Sequence, residues 1–137
     1  MNLNENMSLE EIREVFAGDR FATAAAGAVI EEARPGYAKC CLTLTDRHRN
    51  AMGGVMGGVH FTLADFAFAV AANVAGVPTV SVASSIQFLA AVKGERLTAQ
   101  AHCRKDGVTS CFYEVEVEDD TGRLVALVTI TANHIRR

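Results

Sequence analysis

One carboxylate stands inside the apolar run "NAMGGVMGGVHFTLADFAFAVAANVAG", which extends from Asn50 to Gly76. This acid, Asp65, has no Lys or Arg three or four residues away, so a helix would give it no neighbouring cation. A buried carboxylate without a partner is desolvated, and its pKa is then raised. Such an acid can serve as a general base or a nucleophile if it faces a cleft. The alternative is a structural acid that accepts hydrogen bonds from Thr62 or from a distant backbone group.

Two diglycine pairs, Gly53-Gly54 and Gly57-Gly58, precede Asp65. They predict an open backbone at a helix N-terminus, where unpaired N–H groups and the positive end of the helix dipole attract negative charge. Because Gly57 has no Cβ, a ligand carbonyl can approach its N–H closely. This is the outline of an oxyanion hole, a set of donors for the negatively charged oxygen of an acyl-transfer intermediate. The alternative is that these glycines only cap the helix and shape the loop.

The apolar run is long enough to raise the question of a membrane span. Residues 57–75 would form a helix of about 28 Å. Asp65 near its centre would cost about 2.5–3.5 kcal/mol in a bilayer, and His60 and Asn73 would add to that cost. The strands predicted around this segment also need a partner that covers one of their faces. We therefore expect a core helix and no membrane span.

Length and composition favour one globular domain over residues 1–137. The formal net charge of −3 gives no basis for a nucleic-acid partner, which needs a concentrated basic surface. The polar, acidic start lacks the pattern of a secretory signal, so we expect a cytoplasmic protein. The four cysteines predict reduced, mostly buried thiols, and Cys103 and Cys111, which are symmetric about Gly107, could face each other across a hairpin.

The rest of the sequence predicts a sheet around the apolar helix. Ser8 and Glu11 form a capping-box pattern, so a short helix is expected at about 8–17, ahead of the central helix at about 57–75. Turn signals and alternating apolar residues predict strands at 23–33, 37–45, 79–90, 96–106, 109–119 and 123–135. Antiparallel strands with one dominant helix indicate an α+β fold in which the helix lies across one face of the sheet.

The segment "HRNAMGGVMGGVHFTLADFAFAVAAN" resembles the signature of the hotdog-fold acyl-CoA thioesterases. It is similar to the phenylacetate-pathway (PaaI-like) branch of the 4-hydroxybenzoyl-CoA thioesterase superfamily, and "TVSVASSIQFLAAVKGERL" resembles the next block of that family. The resemblance implies a hotdog fold, an antiparallel sheet wrapped around one long central helix, along nearly the whole chain. It also implies hydrolysis of an aryl- or fatty-acyl-CoA to the free acid and CoA, with no cofactor and no metal ion.

Four residues receive catalytic roles through this resemblance. Asp65 matches the catalytic acid, as general base or as nucleophile, and Gly57 matches the glycine whose N–H polarises the thioester carbonyl. Asn50 resembles the loop residue that places the substrate or the attacking water, and Ser81 resembles the serine that holds the water or the acid. From the residues alone, Asn50 can equally be a loop residue and Ser81 a strand residue.

Four further residues are expected at the substrate. Met56 stands where the family usually has His, a departure that bears on rate, on substrate range and on catalysis itself. Gly58 continues the glycine turn, His60 lies one turn further on, and Phe61 could line an acyl pocket. Helical spacing also allows Phe61, like the other two phenylalanines of the segment, to be a plain core residue. For the CoA phosphates the candidate cations are Lys93, Arg96, Arg104, Lys105, Arg136 and Arg137.

Helix geometry predicts a site shared between subunits. Gly57 and Asp65 are eight residues apart, which is about 12 Å along a continuous helix, so one thioester carbon cannot contact both. If both act on one substrate, they come from different subunits, with two sites per dimer. We therefore expect a homodimer at least, and a dimer of dimers. The alternative functions are a hotdog module that binds acyl ligands without hydrolysis and, less favoured because the His and acid pair is absent, a hotdog dehydratase.

Overall fold

The computed structural model describes residues 3–135. Within this part of the chain, two α-helices and six strands follow one another. The helices are α1 (Leu9–Phe16) and α2 (Gly57–Asn73), and the strands are β1 (Val29–Arg34), β2 (Tyr37–Thr43), β3 (Thr79–Phe88), β4 (Arg96–Asp106), β5 (Ser110–Asp119) and β6 (Leu124–His134). A π-helical turn at Phe21–Ala25 and a 3-10 turn at Asp46–His48 lie in the connecting segments.

The strands form one antiparallel sheet in the order β1-β2-β4-β5-β6-β3, and α2 contacts all six of them. Side chains alternate between the two faces of the sheet, so β5 turns Cys111, Tyr113, Val115 and Val117 into the core. The predicted α+β arrangement, an antiparallel sheet around one long helix, is confirmed. Among residues 3–135, no helix has the length and apolar character that crossing a membrane requires.

Local sequence explains where the helices begin and end. Glu11 N–H donates to Ser8 Oγ (3.2 Å) and Ser8 N–H donates to Glu11 Oε1 (3.0 Å), so α1 starts with the predicted capping box. Phe16 on the buried face of α1 meets Phe66 of α2 edge to face, with ring centroids 6.1 Å apart. The α2 helix ends at Asn73, two residues before the expected end, and Gly76 redirects the chain with a positive φ of 94°.

The first predicted strand is wrong in its N-terminal half. The turn signal at Arg34-Pro35-Gly36 predicts a preceding strand from residue 23, but residues 21–25 form a π-helical turn, in which Ala26 N–H donates to Phe21 O (2.9 Å). The strand begins only at Val29. Alanine has the highest helix propensity and a side chain that gains little on a pleated surface, so this alanine-rich segment stays helical.

The four cysteines are free thiols, as expected, but Cys103 and Cys111 do not face each other. Cys103 lies opposite Tyr113 and Cys111 lies opposite Asp106, and a bulge in β4 between Cys103 and Lys105 shifts the register against β5 by one residue. Symmetry about a single glycine therefore did not identify the true centre of the hairpin.

Candidate active site

Gly57, the first residue of α2, presents a free N–H group at the helix N-terminus. The residue before it, Met56, has the extended dihedral angles of an N-cap, with φ −63° and ψ 136°. The N–H of Val59 donates back to the Met56 carbonyl (2.9 Å), whereas the N–H of Gly57 has no acceptor among the described residues. A free N–H at the positive end of the helix dipole can stabilise a developing oxyanion.

Asn50 shapes the loop that leads into α2. Its Oδ1 accepts the N–H groups of Met52 (3.0 Å) and Gly54 (3.1 Å), and its own backbone N–H donates to the Gly54 carbonyl (2.8 Å). Gly53 completes this tight turn with a positive φ of 85°. Within residues 3–135 the Asn50 Nδ2 group has no hydrogen-bond partner, so it is the part of the side chain that remains for water or substrate.

A cleft of about 580 Å³ opens beside Gly57. The ring of Phe88, at the end of β3, lies so close that a Cβ added at Gly57 would stand 2.9 Å from its Cζ atom. The buried ring of His60 meets Phe88 edge to face, with centroids 5.5 Å apart. The cleft walls are Gly54, Val55, Gly57, His60, Phe88 and residues 89–92. A mostly apolar cleft that includes the free N–H of Gly57 suits the acyl end of a thioester.

His60 lines this cleft as a neutral ring. Burial lowers its pKa. A hydrogen bond to the Met56 carbonyl, 3.3 Å from His60 Nδ1, raises the pKa by a smaller amount. An imidazole whose pKa is lowered carries no charge near neutral pH. His60 is therefore uncharged, and it does not supply a positive charge in place of the histidine that the family usually has at the position of Met56. Met56 itself is exposed beside Gly58.

Asp65 lies about two helical turns beyond Gly57 on α2 and is half-buried. Within the described part of the chain it has neither a hydrogen bond nor an ion pair. The structural alternative, a hydrogen bond from Thr62 or from a backbone group, is not observed among these residues. Burial raises the pKa of Asp65, and the negative charge of Asp19 raises it further. An accessible carboxylate with a raised pKa and no partner is suited to act as a base or a nucleophile.

Asp65 belongs to a stripe of α2 that a single chain leaves accessible. The stripe consists of Gly58, Thr62, Asp65 and Ala69, which are spaced three or four residues apart. A groove of about 320 Å³ lies at its N-terminal end, lined by residues that include Phe21, Met56, Gly58 and Thr62. A second groove of about 510 Å³ lies at its C-terminal end, lined by residues that include Asp19, Ala69, Asn73 and Val80. The acid thus lies between two concave surfaces.

One chain does not bring the predicted catalytic residues together. Because α2 is continuous from Gly57 to Asn73, Gly57 and Asp65 are about 12 Å apart along its axis and about 80° apart around it. Ser81 is exposed on the edge strand β3, opposite Ala132. About 23 Å of extended strand separates Ser81 from Phe88. Ser81 therefore lies far from the Gly57 cleft of its own chain.

The phenylalanines of α2 divide between surface and core. Phe61 is half-buried and packs against the core, while Phe66 and Phe68 are buried within it. Phe68 meets Tyr113 edge to face, with ring centroids 5.2 Å apart. The interpretation of Phe66 and Phe68 as core residues is therefore correct, and Phe61 keeps an accessible surface.

Sequence reasoning missed the loop after β3, which forms one wall of the cleft. Asp119 anchors this loop by accepting the Lys93 N–H (2.9 Å), and Arg123 donates to the carbonyl of Ala91. Burial opposes the ionisation of Asp119, but hydrogen bonds from the Thr121 hydroxyl and from the N–H groups of Lys93, Thr121 and Arg123 outweigh it and hold its pKa at about 2. The motif "DDTG" signals a turn, but not this contact with a distant loop.

Replacing Asp119 with Asn should destabilise the fold at neutral pH, by about 1–3 kcal/mol, because charged hydrogen bonds are lost. The pKa of Asp119 falls from its ordinary value of 3.8 to about 2 on folding. Its contribution is therefore complete well above 3.8 and is lost as the pH falls toward 2. Thermal unfolding of both proteins, from neutral pH down to about pH 2.5, should show a Tm difference that narrows with acid.

Asp120→Asn is the matched control for that experiment, since Asp120 is exposed and accepts one N–H, from Glu95 (3.2 Å). We expect its free energy of unfolding to stay within about 0.5 kcal/mol of the native value, so that its Tm changes little. A Tm difference for Asp119→Asn that does not change with pH would contradict an ionised anchor.

Comparisons with known proteins agree with this fold. The family model described as thioesterase superfamily matches residues 52–126. The acyl-coenzyme A thioesterase PaaI of Escherichia coli is 37% identical over 93 residues, which are 67% of this chain and 66% of that protein. The structure of the E. coli PaaI protein, from the phenylacetic acid degradation operon, matches with a TM-score of 0.82 at 30% identity and covers 94% of this chain and 97% of that one.

A second solved structure, a hypothetical thioesterase from Streptococcus pneumoniae with coenzyme A, matches with a TM-score of 0.81 at 27% identity and covers 89% of this chain and 98% of that one. Together with a sheet wrapped around α2, these matches define a hotdog-fold thioester hydrolase. Within that class, the chain belongs to the thioesterase superfamily and is PaaI-like. The predicted family and fold are confirmed.

Proposed function

We propose that this chain hydrolyses acyl-CoA thioesters, releasing a free acid and CoA. The observation that carries the proposal is Asp65, a half-buried acid with a raised pKa and no partner among residues 3–135. A purely structural acid in an apolar helix would be paired or hydrogen-bonded. The free N–H of Gly57 supplies the complementary group, and the coenzyme A named with the S. pneumoniae structure supports the CoA thioester as substrate.

In the proposed reaction, the Gly57 N–H of one subunit donates to the thioester oxygen as that oxygen gains negative charge. The partner subunit's Asp65 acts on the carbonyl carbon in one of two ways. It takes a proton from the attacking water, or it attacks directly and forms an anhydride that water then hydrolyses. Either route expels the CoA thiolate, which takes up a proton. Asn50 Nδ2 and the exposed Ser81 hydroxyl are proposed to orient the water or the acid.

The proposed assembly is a homodimer with shared sites, with a dimer of dimers as the larger form. The separation of Gly57 and Asp65 on one helix supports it. The edge strand β3 also supports it, since it exposes Val80, Val82 and Phe88 together with an unpaired strand edge. A second subunit would cover both β3 and the accessible stripe of α2.

Among the cations expected at the CoA phosphates, Lys93 has the best position. It follows directly on the cleft residue Val92, and its ammonium has no ion pair among the described residues. Arg96 and Arg104 are paired with Glu31 (2.8 Å) and Glu114 (2.6 Å), and Lys105 is exposed at the far end of β4. Arg136 and Arg137 lie outside the described residues.

The proposal is tested by following thiol release from a panel of aryl- and fatty-acyl-CoAs with the native protein, alongside equilibrium binding of the same compounds. We expect turnover on at least one member of the panel. Tight binding with no thiol release from any member would instead support the alternative function, a hotdog module that binds acyl ligands without hydrolysis. Phe61 and Met56 are expected to influence which acyl group is preferred.

A further inference from the structure

We propose that Asp106, Cys111 and His134 form a binding site for a transition-metal dication, with Zn²⁺ as the expected ion. A carboxylate oxygen, a thiol sulfur and an imidazole nitrogen, one from each residue, lie within 4.8 Å of one another. Zinc accepts this mixed set of oxygen, sulfur and nitrogen ligands. The cluster adjoins Thr79 at the start of β3, about 30 Å of strand away from Phe88 and the Gly57 cleft. It is therefore separate from the Gly57 cleft, although Ser81, which pairs with Ala132 beside Cys111, lies near the cluster.

The sheet topology brings the three ligands together. Asp106 at the end of β4 lies opposite Cys111 on β5. Cys111 lies opposite Ala132 on β6, and His134 is two residues further along that strand on the same face. The ligands are spread over residues 106–134 on three strands, so no short ligand spacing marks them in the sequence. This is why the sequence alone does not predict this metal site.

A neighbouring hydroxyl orients the imidazole for metal binding. The Thr79 hydroxyl donates to the Val77 carbonyl (2.9 Å) and so accepts from Nδ1–H of His134 (2.8 Å). With the hydrogen on Nδ1, the lone pair of Nε2 points toward the Asp106 carboxylate, whose Oδ1 is 2.7 Å away. A metal-binding histidine characteristically donates its other ring N–H to an oxygen in this manner. A lone pair and a carboxylate in contact require a positive charge between them, supplied by a proton or a metal ion.

Two of the ligands are held in place, and the third is free to adjust. Cys111 is 1% exposed and the His134 side chain 8% exposed, whereas the Asp106 side chain is 68% exposed. Tetrahedral zinc with bonds of about 2.0–2.1 Å needs the nitrogen and oxygen about 3.3 Å apart. Rotation of the exposed Asp106 side chain can widen the distance between its Oδ1 and His134 Nε2 from 2.7 Å to that value. The ion enters from the solvent-facing side of Asp106, where a water can occupy the fourth ligand position. Cys111 binds as the thiolate, and the ion replaces the proton held between His134 and Asp106, so two protons pass to solvent on binding.

The test uses the full chain, treated with a chelator and titrated separately with Zn²⁺ and with Co²⁺, whose thiolate charge-transfer absorption reports a bound sulfur. We expect one ion per chain, the cobalt–thiolate absorption, and a Tm that rises by roughly 5 °C or more at saturating Zn²⁺. Cys111→Ser should abolish the absorption. Asp106→Asn, at an exposed position that leaves the fold intact, should weaken binding by roughly tenfold or more.

Cys41→Ser is the matched control, because Cys41 is equally buried but lies on β2 outside the cluster. It should bind both ions like the native protein. Thr79→Val should weaken binding by roughly 10–100-fold, since the imidazole loses its orienting oxygen. A native protein that shows no cobalt–thiolate absorption and no Tm change overturns the proposal and leaves a His134–Asp106 pair that holds a proton. Binding that survives in Asp106→Asn and Thr79→Val at native affinity also overturns it.

Discussion

Replacing Asp65 with Asn should lower the rate of thiol release by about two orders of magnitude or more, the usual effect of losing a general base or nucleophile. The amide keeps the size and shape of the carboxylate but can neither take a proton from water nor attack a thioester. The measurement is kcat and kcat/KM on the best substrate of the acyl-CoA panel. Turnover within a few-fold of native would contradict a catalytic role for Asp65.

The same variant should be at least as stable as the native protein at neutral pH. Burial raises the pKa of Asp65 above its ordinary value of 3.8, so the folded state holds the proton more tightly than the unfolded state. Ionisation of Asp65 therefore lowers the free energy of unfolding at pH values above the pKa of the folded state. Below pH 3.8 the acid is protonated in both states and this loss is absent. An unchanged or higher Tm of Asp65→Asn would show that lost activity is not lost folding.

Asp19→Asn offers a subtler control on the same acid. The negative charge of Asp19 contributes to the raised pKa of Asp65, after burial. Its removal should shift the acid limb of the pH–rate profile to lower pH while the maximal rate changes little. A shift in the opposite direction would contradict the assignment of that limb to Asp65.

Gly57→Pro should reduce kcat by about 10²–10³-fold relative to Gly57→Ala, because proline removes the one N–H proposed to bind the oxyanion. The helix itself should tolerate the change. Proline is favoured at the first helical position, and the Gly57 N–H has no acceptor to lose among residues 3–135. Met56, with φ −63° and ψ 136°, already has the extended conformation that a residue before proline requires.

Gly57→Ala is the matched variant because it keeps the N–H and adds the same Cβ. That Cβ would stand 2.9 Å from the ring of Phe88, which must rotate in both variants. The comparison of kcat between the two therefore cancels the steric effect of the shared Cβ on the cleft. Equal activities would contradict Gly57 as the oxyanion donor.

Local sequence signals were sufficient for the elements that carry the site. The diglycine pairs and the apolar run predicted α2 from Gly57, and the turn at Gly107 bounded β4 at Asp106, where the structure ends it. Asp65 stood out because an acid without a nearby cation is unusual in such a run. These features depend on residues close together in the chain, so no knowledge of the tertiary structure was needed to see them.

Features that depend on pairing between distant segments were missed. The cleft wall is fixed by Asp119, more than twenty residues beyond the loop that it holds, and no local pattern reports that contact. The strand prediction extended into the π-helical turn before β1, although the alanines there favour helix over strand. Likewise, Asp106, Cys111 and His134 come together only through the register of three strands.

A mixture of two inactive variants tests the shared site most directly. Asp65→Asn and Gly57→Pro chains carrying different tags would be co-expressed and the mixed oligomer isolated, or the two proteins exchanged in solution. In a mixed dimer one site combines an intact Gly57 with an intact Asp65 from the other subunit, while the second site has lost both. A statistical mixture, in which about half of the dimers are mixed, should therefore recover roughly a quarter of native activity. A mixture that stays as inactive as its two parents, although mixed oligomers form, would contradict a site built from two subunits.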